Sequence, residues 1–130
     1  KTINYIKDFT EYKNVFKDWE FSNKDFEEIE ILPDDFIYAD PPYDVEFTQY
    51  SSQGFTLDDQ ERLVKWLENH PGPVIISNQG TPRMIELYKD FGYEVDFLRA
   101  PRRISSDGDR TPAKELIATK NIRNIQYGVI

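Results

Sequence analysis

The segment whose residue types could do chemistry is Asp40-Pro41-Pro42-Tyr43. Neither proline has an N–H, so neither can donate to a neighbouring strand. Pro42 also restricts Pro41 to an extended conformation. The Pro41 carbonyl can then point outward as a free acceptor beside the Asp40 carboxylate, and Tyr43 follows with a flat aromatic face. Two acceptors and one stacking surface fit a planar aromatic amine with two N–H donors. The nitrogen of such an amine is a poor nucleophile, because its lone pair is delocalised into the ring. Accepting both hydrogens favours a pyramidal nitrogen and frees the lone pair for in-line attack. Each charge-assisted bond contributes about 1.5–3 kcal/mol, mostly where charge develops. The bland alternative is a strand-ending turn with a buried tyrosine.

The elements around the tetrad favour the chemical reading. Phe36 to Ala39 is an apolar run that stops at Asp40, and it reads as a strand. Thr56 and Asp59 have capping-box spacing, and Gln60, Leu63, Val64 and Leu67 form one face of the helix that follows. Val74 to Ser77 is a β-branched strand typical of a sheet covered on both faces. Thr81-Pro82 starts a second helix with face residues Met84, Leu87, Tyr88 and Phe91, ended by Gly92. Tyr93 to Leu98 alternates as a strand, 99–114 is a basic polar loop, and Glu115 to Thr119 is a last strand. Upstream, Tyr5, Phe9, Tyr12 and Phe16 share one helix face, and Asp18 to Phe21 is a short strand candidate. Asp25 to Asp35 holds one helical turn before Pro33. Strands alternating with helices predict an α/β fold with a mostly parallel sheet and helices on both faces. Ligands bind beyond the carboxyl ends of such strands. Asp40 to Tyr43, Ser77-Asn78 and, if its strand is parallel, Arg99 to Arg110 would therefore meet on one side.

Composition bounds the remaining choices. The chain has 130 residues, one domain's worth, with 38% hydrophobic and 31% charged residues. That excludes collagen, low-complexity and wholly disordered classes. Cysteine is absent, so disulfides and thiolate metal sites are excluded, and His70 alone cannot build a histidine metal cluster. No metal is expected. No apolar run approaches a membrane span, and no export signal is seen, so a cytoplasmic protein is expected. The net charge is −8, yet residues 99–123 hold 7 basic and 3 acidic side chains. A basic stripe on an acidic chain is compatible with phosphate binding, although a solvated loop explains it as well.

The ordered set of segments resembles the C-terminal portion of the Dam-type (D12 class) DNA adenine methyltransferases. The resemblance rests on Phe36-Ile37-Tyr38-Ala39-Asp40-Pro41-Pro42-Tyr43, Phe47-Thr48 with Tyr50, and Gly54-Phe55-Thr56 with Gln60 and Leu63. It continues through Val74-Ile75-Ile76-Ser77-Asn78, Arg103-Ile104-Ser105-Ser106 with Gly108, and Glu115-Leu116. It spans residues from about 15 to 120. The tetrad alone is less specific, since some RNA guanine methyltransferases carry similar ones. The resemblance implies a partial Rossmann-like fold, S-adenosylmethionine as cofactor, double-stranded DNA as partner, and methylation of the exocyclic amino group of a flipped-out adenine. Asp40, Pro41, Pro42 and Tyr43 would hold that adenine. Asp25, Phe26 and Asp40 would meet the cofactor. Arg102, Arg103, Ser105, Ser106 and Arg110 would lie near the DNA backbone. Phe47, Tyr50 and Phe55 suit a lid over the base or ordinary packing.

The family's glycine-rich cofactor loop and its target-recognition domain are expected before the segment seen here. No glycine precedes Gly54. These 130 residues are therefore expected to form a single domain, the C-terminal catalytic portion, working with a missing N-terminal half. Alone they should be weak or inactive, with poor cofactor affinity and little sequence selectivity. An RNA methyltransferase with the same amine chemistry and a non-catalytic nucleic-acid-binding module remain as alternatives.

Overall fold

The computed structural model describes residues 10–44, 54–100 and 113–122. The elements are α1 (Thr10–Val15), β1 (Ile37–Ala39), α2 (Leu57–Trp66), β2 (Val74–Gln79), α3 (Pro82–Asp90), β3 (Glu94–Ala100) and β4 (Ala113–Lys120). Single 3₁₀ turns lie at Phe16–Asp18 and Phe26–Glu28. Among the described residues no helix is long and apolar enough to cross a membrane.

Local signals placed the two main helices well. Thr56 Oγ1 accepts from the Asp59 N–H, and Asp59 Oδ2 accepts from the Thr56 N–H, which is the reciprocal capping box. Thr81 caps α3 with Pro82 at its first position, and Gly92 leaves the helix at φ +78°. Leu63, Val64 and Leu67 from the α2 region, Met84 and Tyr88 of α3, Val74 and Ile76 of β2, and Leu116 and Ala118 of β4 form the core.

The sheet has the order β1-β2-β4-β3, and here the expectation of a mostly parallel sheet is corrected. Only β1 and β2 pair in parallel; β4 is antiparallel to both β2 and β3. Parallel neighbours need a crossover, usually a helix, and none separates β3 from β4 among the described residues. Because β4 is antiparallel to both neighbours, β3 still runs the same way as β1 and β2. Their carboxyl ends therefore share one edge of the sheet with the tetrad.

A second correction concerns the helices. The Asn78 side chain on β2 touches Gln60 of α2 and Tyr88 of α3, so both helices cover the same face. The steps from β1 to β2 and from β2 to β3 cross the sheet in one direction, and right-handed crossovers then fall on one side. The opposite face presents Tyr38, Ser77, Ile117 and Glu115. Third, residues 18–21 are not a strand. Alternation alone supplies no partner edge, and the rings of Phe16, Trp19 and Phe21 pack on one another instead, with centroids 4.8 to 6.1 Å apart. Tyr12 and Phe16 do share a helical face, at 6.3 Å, whereas Tyr5 and Phe9 lie outside the described residues.

Two tertiary ties fix the strands at either end. At the amino end, His70 Nε2 lies 2.9 Å from the Asp35 carbonyl oxygen, and Asn121 Nδ2 donates to the His70 and Gly72 carbonyls. At the carboxyl end, the buried Asp44 carboxylate accepts from Thr81 Oγ1 at 2.8 Å and from Arg83 Nε at 2.7 Å, with a further bond from Arg83 Nη2. Burial alone would raise the Asp44 pKa, but the bonds from Arg83 and Thr81 outweigh it and hold the group below its ordinary value.

Gly72→Ala is expected to cost about 1–3 kcal/mol of stability, measured by urea unfolding. An added Cβ would lie 2.4 Å from the Asp35 carbonyl oxygen and 2.6 Å from His70 Nε2. An unchanged midpoint would show that this contact yields freely. For Asp44, a folded pKa below the unfolded one contributes stability that is full above the unfolded value and fades as pH falls through the folded value. Asp44→Asn should therefore melt below the parent at neutral pH, and the gap should narrow below a pH of about 4. A gap independent of pH would assign the loss to packing instead.

Candidate functional site

The tetrad folds over the carboxyl edge of the sheet and is gripped from both faces. Ser77 and Asn78 are consecutive on β2, so their side chains point to opposite sides. Both are buried. On the side away from the helices, Ser77 Oγ donates to Asp40 Oδ1 at 2.5 Å and accepts from Tyr38 Oη at 3.1 Å. Tyr43 Oη donates to Glu115 Oε1 of β4 on the same side. On the helix side, Gln60 Nε2 donates to the Pro42 carbonyl at 2.9 Å. Asn78 Oδ1 accepts from the Asp44 N–H at 2.9 Å, and Asn78 Nδ2 donates to Gln60 Oε1 and Tyr88 Oη.

This division leaves a defined set of groups facing outward. Asp40 is exposed, and Tyr43 is 38% exposed. Pro42 is the proline whose carbonyl a side chain occupies, whereas no hydrogen bond from a described residue falls on the Pro41 carbonyl. Of the acceptor pair expected from the sequence, Asp40 is exposed, whereas Pro41 is a buried residue that lines the neighbouring cavity. Burial, together with the Glu115 bond, pushes the Tyr43 hydroxyl up to about 12, so it remains a protonated donor near neutral pH.

Beside Asp40 lies an apolar cavity of about 440 Å³. Phe26, Phe36, Tyr38, Phe55 and Trp66 contribute flat walls, and Asp40 and Pro41 form part of its lining. Flat aromatic and aliphatic walls with a carboxylate at the rim suit a planar heterocycle bearing an amino group. Phe26 therefore stands where a cofactor purine could stack. It packs 5.6 Å from Trp66 and 6.2 Å from Phe55, and the Arg62 guanidinium lies 4.9 Å above its ring.

Asp25 does not line that cavity. It caps the Phe26–Glu28 turn, accepting the Glu27 N–H at 3.1 Å and Arg62 Nη2 at 3.0 Å. The Glu27 bond, then Arg62, lower its pKa. Arg62 also bonds Glu27 and Asp59, which ties the turn to α2. The expected DNA-backbone residues Arg102, Arg103, Ser105, Ser106 and Arg110 lie outside the described residues, as do Phe47 and Tyr50. Sequence reading brought Ser77-Asn78 to the tetrad's side of the sheet and noted Gln60 and Glu115 as parts of segments, but it missed the bonds of Gln60, Ser77 and Glu115 to the tetrad and of Asn78 to Asp44. A polar Gln60 on an apolar helix face, and Ser-Asn ending an apolar strand, were the available signals.

The sequence model for D12 class N6 adenine-specific DNA methyltransferases matches residues 1–99. The chain is 40% identical over 93 residues to the retron Ec67 DNA adenine methylase of Escherichia coli, covering 68% of this chain and 32% of that protein. It is 40% identical over 83 residues to the DNA N-6-adenine-methyltransferase of Escherichia phage P1, covering 58% and 11%. It is 34% identical over 125 residues to the type II methyltransferase M1.LlaDCHI of Lactococcus lactis subsp. cremoris, covering 88% and 43%. The chain thus spans less than half the length of each of these relatives. With the matched span taking in α1 through most of β3, and the tetrad within it, the chain belongs to the family of D12 class N6 adenine-specific DNA methyltransferases.

Proposed function

We propose that the complete protein transfers a methyl group from S-adenosylmethionine to the exocyclic amino group of a flipped-out adenine in double-stranded DNA. The observation that carries this reading is the tetrad at the edge of the sheet, with Asp40 exposed beside an aromatic cavity that Pro41 helps to line. Asp40 Oδ1 is engaged by Ser77, which leaves the carboxylate's other oxygen to accept one amino hydrogen while the Pro41 carbonyl accepts the second. Tyr43 supplies the face on which the extruded base stacks. With both hydrogens held, the nitrogen lone pair turns out of the ring plane toward the methyl donor. As the N–C bond forms, the surplus proton on nitrogen moves toward the Asp40 carboxylate. S-adenosylmethionine, when bound, supplies an electrophilic methyl group on a sulfonium sulfur. Phe26, Trp66 and Asp40 are the residues that would hold its adenine.

The 130 residues are read as one domain, the tetrad-bearing part of a Rossmann-like catalytic unit. A glycine-rich cofactor loop and a target-recognition region would come from elsewhere in the complete protein. Arg102, Arg103, Ser105, Ser106 and Arg110 are proposed to meet DNA phosphates, which would position the duplex without reading its bases. The described strand ends that flank that segment, Ala100 of β3 and Ala113 of β4, pair with each other at the tetrad edge of the sheet.

In the complete protein, Asp40→Ala should lower methyl transfer to duplex DNA by about a hundredfold or more while the melting temperature stays near the parent's. Near-parental turnover would refute the site assignment, and transfer to structured RNA but not to duplex DNA would refute the substrate. Phe26→Ala should weaken S-adenosylmethionine binding by about tenfold in calorimetry, through loss of its stacking face. Parental affinity would move the cofactor out of this cavity.

A further inference from the structure

The stacking ring of the tetrad is held from the far side of the chain. Tyr43 Oη donates to Glu115 Oε1 at 2.5 Å, across 72 positions of sequence. Glu115 pairs in register with Gln79 of β2 and Leu98 of β3, so it stands near the tetrad edge of the reversed strand. Glu115 is partly buried, and among the described residues no cation pairs with it. An exposed bond between a carboxylate and one neutral hydroxyl adds little to the stability of a fold. It is an effective way to fix a ring: a bond at the tip of a tyrosine sets the direction of the ring axis, and because a phenolic O–H prefers the ring plane, the acceptor's position also biases rotation about that axis.

We propose that Glu115 is a positioning residue for methyl transfer, its carboxylate holding the Tyr43 ring in the orientation on which the acceptor adenine stacks. This rests on the reading of Tyr43 as the stacking platform. The hydroxyl is then part of the device, and the ring alone is not sufficient. A stacked base on a rotated ring would carry its amino group away from Asp40 and the Pro41 carbonyl. Misplacement of that kind lowers turnover more than it weakens cofactor binding.

The test compares Glu115→Ala, Glu115→Gln, Tyr43→Phe and the double variant E115A/Y43F in the complete protein. Glu115→Ala and Tyr43→Phe should each lower kcat on duplex DNA by about tenfold, with the KM for S-adenosylmethionine unchanged. The double variant should be no slower than either single one, because both remove the same bond. Glu115→Gln keeps an accepting oxygen and should stay within about threefold of the parent. With 2-aminopurine in place of the target adenine, the extruded base should fluoresce more brightly in Glu115→Ala than in the parent or Glu115→Gln, because stacking quenches it. Multiplying losses in the double variant, or Glu115→Gln as slow as Glu115→Ala, would overturn the proposal and leave the stacking reading intact. Parental turnover in Tyr43→Ala would overturn the stacking reading itself, and the proposal with it.

Discussion

Everything at the tetrad depends on satisfying one buried amide. Asn78 is fully buried, and its side chain has two donors and an acceptor that must all find partners. It finds them in Gln60, Tyr88 and the Asp44 backbone, with the Gln79 N–H as a second donor to its oxygen. Those partners belong to α2, α3 and the chain just beyond the tetrad. A buried polar group left unpaired costs about 1–3 kcal/mol, so the network tends to hold as a unit. Through it the two helices and the segment after β1 share one fixed point.

From that point the tetrad acquires its shape. Gln60 passes the restraint to the Pro42 carbonyl, and Asp44 anchors to Thr81 and Arg83 at the start of α3. The backbone is thereby drawn toward the helix side, whereas Asp40 and Tyr43 bond to Ser77 and Glu115 on the other side. The prolines make this possible, because a chain without N–H groups at two successive positions loses little by leaving the sheet. The result is a short, stiff edge with few internal degrees of freedom. On the proposed reading, acceptors held in this way need little rearrangement when charge develops on a substrate.

The two faces of the sheet have different tasks. The face under α2 and α3 carries the apolar core: Val74, Ile76, Leu116 and Ala118 with the helix residues above them. The other carries Tyr38, Ser77 and Glu115, and Tyr38 is 59% exposed. The adjacent cavity borders the free side of β1, where Phe26 is held against Trp66 and under Arg62. The alternation of the strand thus sends Asn78 into the core side with its polar network and Ser77 to the open side, so the tetrad is held from both faces.

The sequence by itself determined the local elements. Thr56-Asp59 and Thr81-Pro82 carry their own capping chemistry, Gly92 ends α3 in a conformation that glycine adopts freely, and the apolar periods of α2 and β2 mark what must be buried. The tetrad was legible for the same reason, since the constraint of two prolines is local. Tertiary structure decided the rest. The reversal of β4 between β2 and β3 depends on which edges are available for pairing, and alternation does not encode that. The same holds for Trp19 to Phe21, whose alternation found no partner strand. The common side of α2 and α3 follows from the strand order, which is settled only when the sheet assembles. The contacts of Ser77, Gln60 and Glu115 with the tetrad, and of Asn78 with Asp44 just beyond it, span 18 to 72 residues. Such contacts form only after distant strands have aligned, so residue type could flag these positions but could not say which atoms they would meet.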